Sequence, residues 1–140
     1  MKKIWLWMAA AICMMVLPGI ARAQVLLIAN PSVKATGVSK GEIRDVFTGN
    51  ATSLHDGSKV IPVLLKSGET TNAFLAAFIG KSDAAFRASW RSLVFSGQGS
   101  MPKQEDTDAA MVEYVLHTSG AVGYVGKSAA HDGVKVLQVR

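Results

Sequence analysis

Cysteine is all but missing from this sequence. Its 140 residues contain one, Cys13, inside an apolar N-terminal stretch. Without that stretch the chain can form neither a disulfide nor a thiol nucleophile, even in a compartment that permits disulfides. Concentrated positive charge is missing too. The 15 Lys and Arg residues form no cluster, so the electrostatic footprint of a nucleic-acid surface is absent. Catalytic signatures are equally scarce, with no G-x-S-x-G elbow and no H-E-x-x-H helix.

Partial matches to other chemistry fail on order or context. Ser100-Met101-Pro102-Lys103 fits S-x-x-K and Lys66-Ser67-Gly68 resembles K-T-G, but the two boxes stand in the reverse of the penicillin-recognising order. The S-D-N box that should lie between them is absent, and the chain is too short for that fold. "SGQGS" lacks the Gly-Lys-Ser/Thr that completes a nucleotide loop. His117 near a helix C-terminus, and Glu105, Asp106 and Asp108 before a helix, suit the helix dipole rather than acid–base work. The expectation is a non-enzyme without a cofactor.

What is present begins with an export signal. "MKK" is a positive n-region, "IWLWMAAAICMMVL" an apolar core, and Ala21-Arg22-Ala23 a small-x-small cleavage site. Residues 1–23 read as a signal peptide cleaved before Gln24, with a periplasmic product that retains no membrane span. The apolar run is short for a span, and Pro18-Gly19 breaks it. Ile12 precedes Cys13 where a lipobox needs a small residue. Removal of Lys2, Lys3 and Arg22 lowers the 15 basic residues to 12, against 10 acidic ones, and leaves 117 residues. That length suffices for one modest core, so residues 24–140 read as a single domain.

Along this domain, apolar runs alternate with helical patterns. "QVLLIAN" is a strand closed by Asn30-Pro31. Ser39 and Glu42 form a capping box before a helix whose Ile43, Val46 and Phe47 share a face. Asp56-Gly57 turns into the strand "KVIPVLL", followed by a helix with Phe74, Ala77 and Phe78 on one stripe. Ser82 caps a third helix with Phe86, Trp90, Leu93 and Val94 inward. "SGQGSMPKQED" reads as a loop, and Asp106 or Thr107 caps a fourth helix carrying Met111, Tyr114 and Val115, ended by Gly120. "AVGYVG" and "VKVLQVR" close the chain as two short strands. Mostly apolar strands between helices predict an α/β sheet covered on both faces.

Two features invite a ligand. "HDGSKVIPV" and "HDGVKVLQV" share a frame that would place His55, Asp56, His131 and Asp132 at a metal, if the turns met in space. Asp-Gly turns feeding strands explain the same frame without a metal, and no metal is expected. The stronger feature is "KSGETT", residues 66–71, between a strand and a helix. The first N–H groups of a helix lack intrahelical partners, and the dipole places partial positive charge there. Ser67, Gly68, Thr70 and Thr71 are residue types that cradle an oxyanion, and Lys66 adds a charge. A simple helix cap uses the same residues, so both readings stand on spacing alone.

Four segments in order, "GEIRDVFTGN", "DGSKVIPVLLKSGETTNAF", "SWRSLVFSGQGSMP" and "SGAVGYVG", resemble the phosphate-type substrate-binding proteins of ABC transporters. They are most similar to short, secreted, single-lobe members. The resemblance implies a three-layer α/β sandwich like one lobe of a class II periplasmic binding protein. It also implies a phosphate or oxyanion site at Lys66, Ser67, Gly68, Thr70 and Thr71, and a transporter or sensor protein as partner. Where that family has Gly-Ser-Gly-Thr, this chain has Ser67-Gly68-Glu69-Thr70. Glu69 sets a carboxylate where an anion wants donors. A second reading follows, an interaction or sensory accessory module that keeps the fold without the ligand.

Overall fold

The computed structural model describes residues 25–140; the expected signal peptide at 1–23 and its cleavage site lie outside the described residues. The elements run β1 (Val25–Ala29), β2 (Gly37–Val38), α1 (Lys40–Phe47), β3 (Ile61–Leu65), α2 (Glu69–Phe74), α3 (Asp83–Phe95), β4 (Lys103–Glu105), α4 (Asp108–His117), β5 (Ala121–Gly126), β6 (Lys135–Val136) and β7 (Gln138–Val139). A π-helical turn, Leu75–Ile79, prolongs α2 and ends at Gly80 in the left-handed region. The main sheet has the order β4-β3-β5-β1-β6, and β2 pairs with β7 in a small second sheet.

Strands β3, β4 and β5 are parallel, whereas β1 runs antiparallel to both β5 and β6. The two faces follow from adjacent residues of β5. Tyr124 stacks on Phe74 of α2, with ring centroids 4.0 Å apart and planes 4° apart. A Cβ added to the neighbouring Gly123 would come within 2.5 Å of Met111 Sδ on α4. Successive strand residues point to opposite faces, so α2 and α4 cover opposite sides of the sheet. Glycine at 123 is what lets α4 pack this closely.

On the α2 side, Phe47 of α1 meets the Phe74 ring edge-on at 4.8 Å. The Trp90 indole N–H donates to the Phe47 carbonyl at 2.9 Å and ties α3 to α1. The Ser39–Glu42 capping box forms in both directions as expected, and Ile43, Val46 and Phe47 are buried. Ser82 and Thr107 cap α3 and α4. Asn30 is buried after β1. Its amide donates to the Val115 and Leu116 carbonyls at 2.9 and 3.0 Å, satisfying the C-terminal end of α4.

Three expectations need correction. Val94 is 44% exposed rather than inward, because Leu93 takes the packed position against Gly49 and α3 turns Val94 away from it. The expected loop contains β4, which pairs with β3 from Val63↔Lys103 to Leu65↔Glu105. "VKVLQVR" is two strands, since β6 joins β1 and β7 crosses to β2.

Candidate functional site

Where β3, β4 and β5 end, the chain builds a small crevice of about 120 Å³. Its walls are Leu65 at the end of β3, residues 66–71 after it, and Asp106, Thr107 and Asp108 after β4. The parallel pairing of β3 with β4 brings the two turns together, and Lys66 N–H continues the ladder to the Glu105 carbonyl at 2.9 Å. Their helices leave to opposite faces, so the beginnings of α2 and α4 flank the opening. Open α/β sheets place ligands in such crevices, outside the carboxyl ends of their strands.

The residues expected at the site do different things. The first helical bond of α2 runs from Asn72 N–H to the Gly68 carbonyl at 2.9 Å, leaving the earlier amides of the turn as donors. Gly68 is extended and a Cβ there would meet open space, so neither backbone strain nor packing within the chain requires glycine at this position. Ser67 Oγ donates to the Asp83 carboxylate, which also pairs with Arg87 Nε at 2.9 Å. Arg87 is thereby engaged behind the turn and adds Gln104 Oε1 at 2.7 Å. Lys66 and Glu69 are exposed, and Thr70 is half-buried.

Thr71 is turned inward. Its hydroxyl lies 2.8 Å from the Lys66 carbonyl and 2.9 Å from the Tyr124 hydroxyl. Thr71 has one proton and the Lys66 carbonyl can only accept, so Thr71 donates there and accepts from Tyr124. The Tyr124 oxygen in turn accepts Leu65 N–H at 3.1 Å. Burial pushes the Tyr124 phenol up, partly offset by the hydrogen bond its oxygen accepts from Leu65 N–H. Thr71 thus fixes the turn onto the sheet and holds its hydroxyl away from the opening.

The opposite wall was not legible as part of a site. Asp108 Oδ2 accepts Gly126 N–H at 3.3 Å, tying α4 to the end of β5. Asp106 and Asp108 add carboxylates to that of Glu69, so the lining holds three acidic groups against Lys66. Only the pairing of β4 with β3 reveals this, and the sequence around β4 has the composition of a loop.

Elsewhere, His55, Asp56 and Arg140 line a cavity of about 380 Å³ around Glu42. Burial alone would raise the Glu42 carboxyl. Backbone N–H groups of His55 and Ser39, both at 3.1 Å, together with the His55 charge, outweigh this and hold it below the usual carboxylate range. His131 Nδ1 lies 3.0 Å from the Ala129 carbonyl. Among the described residues, no group of three or more His, Cys, Asp or Glu is arranged to hold a metal. No helix there is long and apolar enough to cross a membrane.

No family model matches the chain. Its α/β sandwich is, however, the fold of solved substrate-binding proteins. One, from Clostridium perfringens, is assigned as a phosphate ABC transporter substrate-binding protein and carries bound phosphate. It superposes with a TM-score of 0.63 at 17% identity, over 83% of this chain and 44% of its own. An ABC-type phosphate transport receptor from Vibrio cholerae gives 0.53 at 13% identity, over 83% and 46%. PstS from Borrelia burgdorferi gives 0.54 at 13% identity, over 84% and 47%. The chain spans less than half the length of each.

Proposed function

We propose that this protein is a periplasmic, non-enzymatic binding-protein-like module whose crevice takes phosphate or another small oxyanion. The observation that carries this reading is the position of Lys66–Thr71: a turn opening onto a crevice at the carboxyl ends of β3, β4 and β5. Backbone amides at Ser67 to Thr71 hold the anion, with Lys66 and the Thr70 hydroxyl beside them. The fold shared with a phosphate-bound protein supports the assignment. Ligand pockets usually measure about 300–1,000 Å³, so a crevice of about 120 Å³ suits a single small ion.

Thermal unfolding with phosphate or sulfate, at ionic strength matched with chloride, tests this reading. Ligand at a hundred times its dissociation constant stabilises by about 2.7 kcal/mol. The same melting temperature with every oxyanion would sink it.

The acidic lining favours a second reading, in which the fold serves as an interaction module for a transporter or sensor component. Its test is pull-down from periplasmic extract with the wild-type protein beside a Glu69→Lys, Asp106→Lys variant. A transporter or sensor component recovered equally by both would remove the crevice from the interface.

A further inference from the structure

At the other end of the sheet lies a polar cavity of about 280 Å³, lined by Ser32, Lys34, Asp56, Ser58, Lys59 and Ser119. The topology assembles it. Strands β3 and β5 both start there, and β1, antiparallel to β5, ends there. Asn30 braces the turn that follows β1, since its Oδ1 accepts Ser32 N–H at 2.9 Å.

The hydrogen atoms around this cavity outnumber their acceptors. Ser32 Oγ accepts from Gly120 N–H at 3.0 Å and pairs with Ser119 Oγ at 3.2 Å. Whichever serine donates, the other keeps a proton with no acceptor among the described residues. Ser58 Oγ accepts Lys34 N–H at 3.3 Å, while its own hydroxyl is turned to the Asp56 carboxylate. Neither the Lys34 nor the Lys59 ammonium joins an ion pair among the described residues. Each is a flexible point charge with several donors. The one carboxylate present, Asp56, gives an oxygen to Ser58 N–H at 2.9 Å.

One free hydroxyl proton, two ammonium groups against a single carboxylate and an open polar volume fit a compact acceptor. We infer that this cavity binds a free tetrahedral oxyanion, of the phosphate or sulfate type, independently of the crevice. The ion accepts from the leftover proton of the Ser32–Ser119 pair and bridges the two ammonium groups, while Asp56 limits its affinity. The inference does not rest on the crevice reading, and each can fail without the other.

The test is an amide-resolved NMR titration of the purified protein with inorganic phosphate, then sulfate, each against chloride at equal ionic strength. Saturable shifts are expected at Ser32, Ser58 and Gly120. The Lys34→Ala, Lys59→Ala double variant should weaken them by about tenfold or more, a factor set by 1.4 kcal/mol. Lys66→Ala should leave them unchanged. Both lysines are exposed, so the double variant retains the core. Asp56→Asn supplies a change of opposite sign and should tighten binding. Shifts confined to Gly68–Thr71, shifts that never saturate, or shifts that survive the double variant would overturn the proposal.

Discussion

The two ends of the sheet use similar residues to opposite effect. Both carry serines, glycines and lysine on turns next to strand ends. At the crevice the side-chain donors are already engaged: Ser67 donates to Asp83 and Thr71 to the Lys66 carbonyl. What remains there is backbone amides, Thr70, one lysine and three carboxylates. At the far cavity two lysines accompany one carboxylate, and one hydroxyl proton of the Ser32–Ser119 pair lacks an acceptor. Residue types suggest an anion site at both places. Only the tally of protons and charges separates them, and it favours the end that carries no familiar motif.

That contrast can be broken from either side. The largest effect should come from Asn30→Ala, which strips partners from two carbonyls of α4 and from Ser32 N–H. Urea unfolding should register a loss of about 3 kcal/mol. Oxyanion shifts at Ser32 should weaken while those in the crevice persist. Tyr124→Phe is the counterpart beneath the crevice. It orphans Leu65 N–H and removes the donor to Thr71, for about 1–2 kcal/mol by the same measurement. An unchanged midpoint would mean that water replaces the phenol.

Smaller effects sharpen the electrostatic side. Glu69→Ser should raise phosphate affinity at the crevice a few fold, measured by calorimetry, since exposed charges are partly screened. No change would place Glu69 outside the field of the ion. The mildest effect is a pH dependence belonging to neither end. The Glu42 carboxyl is lowered in the folded protein, so its contribution is complete above the ordinary glutamate range. It is lost as pH falls through the lowered folded value. Glu42→Gln should flatten this acid limb of the stability curve, and an identical limb would assign the dependence to other carboxylates.

Local signals carried most of the fold. The Ser39–Glu42 box, the Ser82 cap and the apolar spacing of Phe86 and Trp90 are written within a few residues and appear as read. The "KSGETT" turn was likewise legible as a strand-to-helix junction. Its partner wall was not, because Lys103–Glu105 has no apolar pattern and becomes a strand only through the edge of β3. Thr71 shows the same limit. Its sequence position suggests a ligand hydroxyl, and the contact that turns it inward comes from Tyr124, 53 positions away. The far cavity depends on three separate turns meeting, which no single stretch encodes.

Strand β5 begins beside one cavity and ends beside the other, at Ala121 and Gly126. Five steps of a strand cover about 17 Å. At physiological ionic strength the screening length is about 8 Å, so charges at the two ends barely sense each other. Filling one end therefore does not inhibit filling the other by repulsion. A protein of this size would then take up two anions with independent isotherms, and its binding stoichiometry, rather than its affinity, would be the property that sets it apart.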